Sequence, residues 1–144
     1  MLVRDIMTRD LTTLQETEFL LDATLIFSRA SCRHVPILRG KQLVGIVTER
    51  DIVRKCFKRI DACANFQVKD VMSKEVAVGI PDDDLEYAIS AMKQKRIRHL
   101  PIVDNRRVVG MVSMRDLLDV ELKECQIEVR YAGLVMRRPP RRVV

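Results

Sequence analysis

The chain has 144 residues, of which 47% are hydrophobic and 32% are charged, and it contains no tryptophan. This composition is that of a globular protein and excludes a disordered or collagen-like chain. The formal net charge of +6 is unevenly distributed, because residues 126–144 hold five arginines and one glutamate. The excess of positive charge therefore belongs mainly to the C-terminal tail and does not predict nucleic-acid binding by the folded body.

Four cysteines are present, and none belongs to a C-x-x-C pair: they are Cys32, Cys56, Cys63 and Cys125. The charged N-terminal segment does not match a signal peptide, and no apolar run approaches the ~20 residues that a membrane span needs. These features predict a cytoplasmic protein with reduced thiols. Cys56 and Cys63 lie in or beside a predicted connection and are the pair open to redox chemistry.

The sequence repeats itself with a shift of 65 residues, so that residues 3–54 align with residues 68–119 without a gap. Over these 52 positions 14 residues are identical, and VRDIMTRD, RHVPIL and LVGIVTERDIV fall on VKDVMSKE, RHLPIV and VVGMVSMRDLL. An ungapped self-alignment of this length predicts that the chain contains two copies of one structural unit. We divide the chain into a first repeat (1–58), a connection (59–67), a second repeat (68–125) and a basic tail (126–144).

Each copy opens with a short approach segment, Asp5–Thr8 or Asp70–Ser73, and a brief apolar stretch that predicts a strand, Leu11–Leu14 or Val76–Ile80. A helix follows, because apolar residues recur at i, i+3, i+4 and i+7. The helical positions are Leu20, Ala23, Thr24 and Phe27 in the first copy and Leu85, Ala88, Ile89 and Met92 in the second. Thr17 is a candidate cap for the first of these helices, and Asp82 and Asp83 suit the start of the second.

Two apolar runs around a polar turn then predict a β-hairpin in each copy: His34–Leu38 with Leu43–Val47, and Leu100–Val103 with Val108–Val112. A last helix is predicted to begin at Glu49 or Met114. The unit is therefore β-α-β-β-α, and a unit of this size has too little core to stand alone. We predict an α/β fold of the α+β type, in which two tandem repeats pack through their sheets about a pseudo-twofold axis.

Both hairpins end in the same motif, GIVTERD in the first copy and GMVSMRD in the second. Its hydroxyl and carboxylate are Thr48 and Asp51 in the first copy and Ser113 and Asp116 in the second. A helix N-cap explains this spacing, because the hydroxyl accepts a bond from a backbone N–H and the acid reaches back. For a single copy, this structural role is the favoured interpretation.

A nucleotide-binding site is the alternative, and the recurrence of the motif at equivalent places favours it. Free N–H groups at a helix N-terminus bind anions, and the hydroxyl can join them on a phosphate. Gly45 and Gly110 leave room for a close backbone approach by a ligand. Arg50 and Arg115 add positive charge, and the carboxylate would accept hydrogen bonds from a ribose. Phosphate, ribose and a flat apolar slot together describe a nucleotide.

With these motifs, the repeat and the approach segments DIMT and DVMS, the sequence resembles the cystathionine β-synthase (CBS) domain family over most of its length. The resemblance implies a CBS-domain pair, or Bateman module, which binds an adenine nucleotide as a regulatory ligand and is not an enzyme. AMP, ADP or ATP is the expected ligand, and S-adenosylmethionine or a dinucleotide remains an alternative. The resemblance also implies a homodimer formed through the outer faces of the helices near residues 20–30 and 49–58 and of their equivalents in the second repeat.

The resemblance assigns roles to residues of both copies. Thr48 and Ser113 would bind phosphate and Asp51 and Asp116 the ribose hydroxyls, with Arg50 and Arg115 nearby. The other expected site residues line the cleft or hold the base: His34, Pro36, His99, Pro101, Ile6, Val71 and Ala77. Glu16 stands where the second copy has Pro81, so we expect two clefts that are not equivalent.

Three functional hypotheses remain open. The first is a nucleotide-sensing module that modulates a partner protein, and the second is an interaction scaffold with empty clefts. The third is a nucleic-acid accessory protein driven by the arginines at 137–142, which the lack of interleaved aromatic residues disfavours. No metal site is expected, because Cys32 and His34 supply two of the four ligands of a structural zinc site. No catalytic triad or Walker loop marks an enzyme.

Overall fold

The computed structural model describes residues 1–29 and 32–131, with the side chains of the last helix described as far as Cys125. The arginine-rich segment at 137–142 lies outside the described residues. None of the helices in the described ranges has the length and apolar character that crossing a membrane requires. In chain order the helices and strands are α1 (Val3–Ile6), β1 (Leu14–Gln15), α2 (Leu20–Arg29), β2 (His34–Arg39), β3 (Gln42–Thr48), α3 (Glu49–Lys58), α4 (Val68–Val71), α5 (Leu85–Lys95), β4 (His99–Asp104), β5 (Arg107–Ser113) and α6 (Met114–Tyr131). A 3₁₀ turn at Cys63–Asn65 lies between α3 and α4.

The repeated unit folds in the predicted order. The two hairpins form as expected, β2 with β3 and β4 with β5, and the last helix of each repeat begins at Glu49 or Met114. The faces predicted for α2 and α5 point into the cores, where Ala23 and Ala88 are fully buried. Thr24 is the exception: it is exposed, and its hydroxyl donates to the backbone carbonyl of Leu20 over 3.1 Å. The prediction of an α+β fold built from two tandem repeats is confirmed.

The strands form one five-stranded sheet in the order β1-β2-β3-β5-β4. The two repeats meet edge to edge at β3 and β5, where Gln42 is paired with Arg107. These residues stand 65 positions apart, which is the repeat shift, so the joint lies on the pseudo-twofold axis. Since the sheet is continuous through this one register pair, other contacts must hold the repeats together.

The approach segment of each repeat packs on the other repeat. Thr8 and Met111 exchange two backbone hydrogen bonds of 2.9 and 3.0 Å, and Ser73 and Ile46 exchange two of 2.9 and 3.1 Å. The second pair repeats the first with the 65-residue shift. The repeats therefore exchange their first segments, and backbone hydrogen bonds tie them together at two symmetry-related places.

The hydrophobic cores show the same exchange. The core of the first repeat is completed by Val68 and Met72 from the second, and the core of the second is completed by Val3 and Met7 from the first. Val3 and Val68 are fully buried, and burial of one valine side chain stabilises a fold by about 1.5–2 kcal/mol. Neither repeat closes its core without the other.

The helix caps differ from those predicted. Thr17 does not cap α2, and the prediction was wrong, because the backbone N–H of Phe19 instead donates to the Asp22 carboxylate over 3.2 Å. Helix α5 is capped one residue beyond the predicted pair of aspartates, by Asp84, whose carboxylate accepts the Tyr87 N–H over 2.7 Å.

The first strand of each repeat is shorter than predicted. Strand β1 contains two residues, Leu14 and Gln15, which pair in parallel with β2. In the second repeat Gly79 makes a single parallel bridge to Ile102. The residues before these strands cross to the other repeat, which leaves a short stretch to pair with β2 or β4.

Cys56 and Cys63 form a disulfide bond, so the expectation of reduced thiols is wrong for this pair, whereas Cys32 and Cys125 are free. The bond joins the last turn of α3 to the 3₁₀ turn over a sequence separation of 7. The turn brings the two Cα atoms to 5.4 Å, which lies in the range that a disulfide requires.

Candidate ligand-binding cleft

The two repeated motifs fold as helix caps. Thr48 ends β3 and is the N-cap of α3, and its hydroxyl accepts the Asp51 N–H over 3.1 Å. The Oδ2 atom of Asp51 accepts both the backbone N–H and the hydroxyl of Thr48, each over 3.0 Å. Ser113 and Asp116 repeat these three bonds, in the same order, over 3.2, 2.8 and 2.6 Å. The N-cap interpretation of the motif thus describes both copies.

The cap fixes a carboxylate on the first turn of each helix without using all of its acceptor capacity. The side-chain bonds of Asp51 fall on Oδ2, and within the described residues Oδ1 accepts none of them. A carboxylate offers about four lone-pair sites, so Oδ1 can accept hydrogen bonds from a ligand hydroxyl. The N-terminus of α3 also carries partial positive charge from the helix dipole.

A cleft of about 680 Å³ opens in front of the Thr48 motif. The first repeat contributes the start of α3 to its walls, and the second contributes the segment from Ser73 to Ala77 and the entry to β4. The volume lies within the ~300–1,000 Å³ that small-molecule sites occupy. The cleft is shared by both repeats because the approach segments are exchanged.

The cleft combines an apolar surface with a rim of charged side chains. Its apolar residues are Ile46, Val76, Ala77, Ile97 and Pro101. Among the residues that the structure describes, four arginines and three acids line it: Arg33, Arg50, Arg96 and Arg98, with Glu49, Asp51 and Glu75. The arginines give the cleft a positive balance, which suits an anionic ligand.

Gly45 lies where the approach segment of the second repeat packs on the first repeat, and this changes the interpretation of the glycine in the motif. A Cβ atom built on Gly45 would stand 2.5 Å from the Sδ atom of Met72, and one on Gly110 would stand 2.5 Å from the Sδ atom of Met7. The sequence had suggested that these glycines make room for a ligand. They make room for the methionine of the other repeat's approach segment.

His34 and His99 sit together in the cleft, each half-buried, with their rings stacked. The pKa of His34 is lowered to about 4, mainly by burial and also by repulsion from His99 and Arg33, while the Asp51 carboxylate opposes the shift. Burial also lowers the pKa of His99, and Asp116 opposes that shift. In the described part of the chain, Nδ1 of each ring is buried without a hydrogen-bond partner. Both rings are therefore neutral at neutral pH.

The structure brings together seven of the residues expected from the sequence. Those that line the cleft are Thr48, Arg50, Asp51, His34, His99, Pro101 and Ala77. Ser113, Arg115 and Asp116 form the equivalent strand–helix junction of the second repeat. Pro36 and Val71 are buried in the first repeat, and Ile6 packs against the core of the second.

The cleft also contains residues that the sequence did not single out. Ser73 ends the second approach segment, Glu75 follows it, and Arg96 stands at the C-terminal cap of α5 in a left-handed conformation with φ 55°. Ser73 was detectable, because it aligns with Thr8 in the repeat. Arg96 carries no such signal, since its equivalent in the first copy is a serine.

These features define a class of protein: a pseudo-symmetric α+β protein whose two repeats exchange their first segments and share a cleft with an apolar surface and a charged rim. The family model of the CBS domain matches residues 3–58 and again residues 68–123. The chain belongs to the CBS-domain family.

The chain spans most of the length of some relatives and less than a quarter of others. The chain is 32% identical over 115 residues to the CBS domain-containing protein YhcV of Bacillus subtilis, covering 80% of this chain and 81% of YhcV. It is also 32% identical over 117 residues to a homoserine O-acetyltransferase of Methanohalobium evestigatum, covering 80% of this chain but only 23% of the enzyme. The structure resembles the CBS domain pair of protein MJ0100, solved in complex with 5′-methylthioadenosine and S-adenosyl-L-methionine, with a TM-score of 0.76 and 25% identity over 86% of this chain and 98% of that one.

Proposed function

We propose that this chain is a regulatory module that binds an adenine nucleotide of the AMP, ADP or ATP type, and that ligand binding modulates a partner protein. The observation that carries the proposal is the cleft itself. Its walls combine the N-terminus of α3 and the carboxylate of Asp51 with four arginines and an apolar surface. Each part suits one part of a nucleotide.

The chemistry of the lining assigns the parts of such a ligand. A phosphate would lie near the N-terminus of α3, the Thr48 hydroxyl and Arg50, where backbone N–H groups and positive charge converge. The ribose hydroxyls would donate to Oδ1 of Asp51. The base would pack against Val76 and Ala77, and the Asp51 carboxylate would keep phosphates away from the ribose end by charge repulsion.

The charge of the cleft favours an anionic ligand over a cationic one. The MJ0100 domain pair was solved with S-adenosyl-L-methionine and 5′-methylthioadenosine, which supports an adenosyl ligand as the class. In this chain the arginines at positions 33, 50, 96 and 98 would repel a sulfonium and attract phosphates. We therefore place AMP, ADP and ATP ahead of S-adenosylmethionine.

Regulation would follow from the exchange of segments. Since both repeats contribute walls, a ligand that prefers one relative arrangement of the repeats shifts the population toward it, by no more than its differential affinity for the two states. A partner that recognises one arrangement would read out the shift. The proposed setting is the cytoplasm, where the adenine-nucleotide pool is found, and the proposed role is regulatory rather than catalytic.

We also propose a homodimer formed through the last helices of the two repeats. Val53 and Phe57 on α3 are 57% and 79% exposed, and the equivalent Leu118 and Leu122 on α6 are 51% and 59% exposed. Residues at i and i+4 share one face of a helix, so the two helices present matching apolar stripes related by the pseudo-twofold axis. A twofold dimer requires such self-complementary surfaces.

The alternative is an interaction scaffold whose clefts stay empty. The observation that favours it is the complete capping of both motifs, because a cap alone accounts for the spacing of Thr48 and Asp51. In that case the apolar stripe on α3 and α6 would carry the function.

The discriminating experiment is isothermal titration of the full chain with AMP, ATP, NAD and S-adenosylmethionine, beside Asp51→Ala. The matched control is Asp84→Ala, which removes the cap of α5 outside the cleft. The proposal requires saturable micromolar binding of AMP or ATP, weakened at least about tenfold by Asp51→Ala, or about 1.4 kcal/mol, and unchanged in Asp84→Ala. Asp116→Ala would show whether the second cleft also binds. If none of the four compounds binds, or both variants lose affinity and stability alike, the motif is a cap and the scaffold is favoured.

A further inference from the structure

The disulfide between Cys56 and Cys63 lies between two walls of the cleft along the chain. Helix α3 carries Arg50 and Asp51 of the cleft in its first turn and Cys56 in its last. Ten residues beyond Cys63, the chain reaches Ser73, where the opposite wall begins. The bond therefore ties the helix that carries the poised carboxylate to the segment that leads into the facing wall.

The Cys56–Cys63 disulfide is a tether between two parts of the chain, helix α3 and the segment after the 3₁₀ turn, and these two parts are held in place to different extents. Helix α3 contacts the core of the first repeat through half-buried side chains, Ile52 and Cys56. The segment after the 3₁₀ turn is fixed by backbone bonds, with the Leu20 N–H donating to Phe66 over 2.9 Å and the Val68 N–H to Glu18 over 2.8 Å. Hence the tether fastens a weakly held helix to a firmly held segment.

This tether belongs to one repeat. The residue of α6 that is equivalent to Cys56 by the 65-residue shift is Glu121, an exposed carboxylate. The symmetric motif at Ser113 and Asp116 therefore stands on a helix with no cysteine at that position. The disulfide therefore breaks the pseudo-symmetry beside the Thr48–Asp51 motif, and the equivalent helix α6 has a glutamate at that position.

We propose that Cys56 and Cys63 form a reversible dithiol–disulfide pair that sets the position of α3, so that the affinity of the Thr48–Asp51 cleft for its ligand depends on thiol oxidation. The inference of a ligand rests on the proposed function, whereas the effect on α3 does not. In the dithiol form the last turn of α3 loses its covalent anchor, and the carboxylate of Asp51 and the segment from Ser73 to Ala77 are no longer held in one geometry.

The chemistry balances with a low-molecular-weight disulfide, such as oxidised glutathione, as the oxidant. One cysteine thiolate attacks a glutathione sulfur, forms a mixed disulfide and releases one glutathione thiolate, which takes up a proton. The second cysteine thiolate attacks the protein sulfur of the mixed disulfide and releases the second glutathione. Two cysteine thiols are oxidised to one disulfide, and one glutathione disulfide is reduced to two thiols. The short separation of 7 residues favours the second, intramolecular step.

The test compares the full chain equilibrated with oxidised glutathione and the same chain reduced with dithiothreitol. Cys56→Ser/Cys63→Ser serves as a variant locked in the open form, and Cys125→Ser as a control that removes an exposed thiol outside the pair. ATP is titrated into each form, amide hydrogen exchange is measured without ATP, and the thiol count follows formation of the disulfide. Circular dichroism checks that every form is folded.

We expect the disulfide to form and to reverse, and the oxidised protein to bind ATP about fivefold more tightly or better, the lower end of ordinary coupling between sites. The double variant should match the reduced protein under both conditions, and Cys125→Ser should match the wild type. Equal ATP affinity in the two redox forms, or no disulfide with oxidised glutathione, overturns the proposal. If neither form binds ATP, the proposed function fails, and hydrogen exchange then tests whether the disulfide fixes α3. Slower exchange of α3 and residues 73–77 in the oxidised form supports this effect, and equal exchange in the two forms overturns it.

Discussion

His34 and His99 stack across the pseudo-twofold axis, with ring centroids 3.6 Å apart and an angle of 29° between the ring planes. They are equivalent residues of the two repeats, separated by the 65-residue shift. Each stands at the start of a strand, β2 or β4, and each lines the shared cleft. The pair is therefore both a joint between the repeats and part of the candidate site.

The histidine pair predicts a loss of stability in mild acid. The pKa of His34 in the fold is about 4, below its ordinary 6.5, and the pKa of His99 is also lowered. Between these values the unfolded chain binds more protons than the native protein, so stability falls as the pH drops from about 6.5 towards 4. Thermal unfolding at pH 7.5 and 5.0 should show a melting temperature several degrees lower at pH 5.0.

The control for this prediction is the variant His34→Gln/His99→Gln. Its melting temperature should depend less on pH over the same interval, because glutamine does not titrate. Carboxylates with ordinary pKa values contribute little above pH 5. A variant with the same pH dependence as the wild type would show that groups other than the histidine pair cause the loss.

The close approach at Gly45 predicts a large effect from a small substitution. In Gly45→Ala the new Cβ would lie 2.5 Å from Sδ and 2.8 Å from Cγ of Met72, and 3.0 Å from the backbone oxygen of Ser73. Overpacking of this kind costs about 1–3 kcal/mol. Urea unfolding should show this loss in the free energy of unfolding, and Gly110→Ala should show a similar one against Met7.

A double-mutant cycle separates the methionine contact from other effects of the alanine. The added cost of Gly45→Ala should shrink in a Met72→Ala background, because the nearest obstacle has been removed, and contacting residues are not additive. Full additivity of Gly45→Ala and Met72→Ala would mean that the methionine is not what excludes a side chain there.

These contacts show which part of the structure could be predicted from the sequence. A repeat in one register identifies equivalent residues, and local patterns locate the hairpins and the starts of α3 and α6. Self-comparison does not say on which copy a segment packs. The exchange of approach segments, and with it the contact of Gly45 with Met72, needs the three-dimensional structure, because the residues involved lie far apart along the chain.

The same limit applies to the cleft. Thr48, Asp51 and His34 were predicted because they belong to repeated motifs that tertiary packing then brings together. Arg96 and Cys56 stand at positions where the other copy has Ser31 and Glu121, so neither belongs to a repeated motif. Features that break the repeat carry no periodic signal, and two of them lie at or next to the candidate site.

The apolar stripe on α3 and α6 predicts that a single charge will prevent dimerisation. Phe57→Glu should shift the protein from dimer to monomer, because a carboxylate would be buried unpaired against the second copy. Sedimentation equilibrium gives the mass directly. Ile80→Glu is the matched control, since Ile80 is a 53% exposed apolar residue outside these helices. A wild type that is monomeric at every concentration, or a Phe57→Glu protein of unchanged mass, would contradict the proposed dimer.

Arg96 allows the effects on stability and on binding to be separated. It adopts φ 55° at the C-terminal cap of α5 and lines the cleft, whereas Arg106 adopts φ 66° in the turn between β4 and β5. The left-handed conformation costs a residue with a side chain about 1–2 kcal/mol, and glycine avoids that cost while losing about 0.5–1 kcal/mol of its own in chain entropy.

We therefore predict that Arg96→Gly stabilises the fold by about 0.5–1 kcal/mol and at the same time weakens ATP binding, because the cleft loses one positive charge. Arg106→Gly is the matched control: it should stabilise the fold by a similar amount and leave the affinity for ATP unchanged. Urea unfolding measures the first quantity and isothermal titration at two salt concentrations the second. The contribution of Arg96 should shrink at the higher salt concentration, since mobile ions screen a partly exposed charge. Equal ATP affinities in the two variants would remove Arg96 from the ligand site and leave it a structural role at the end of α5.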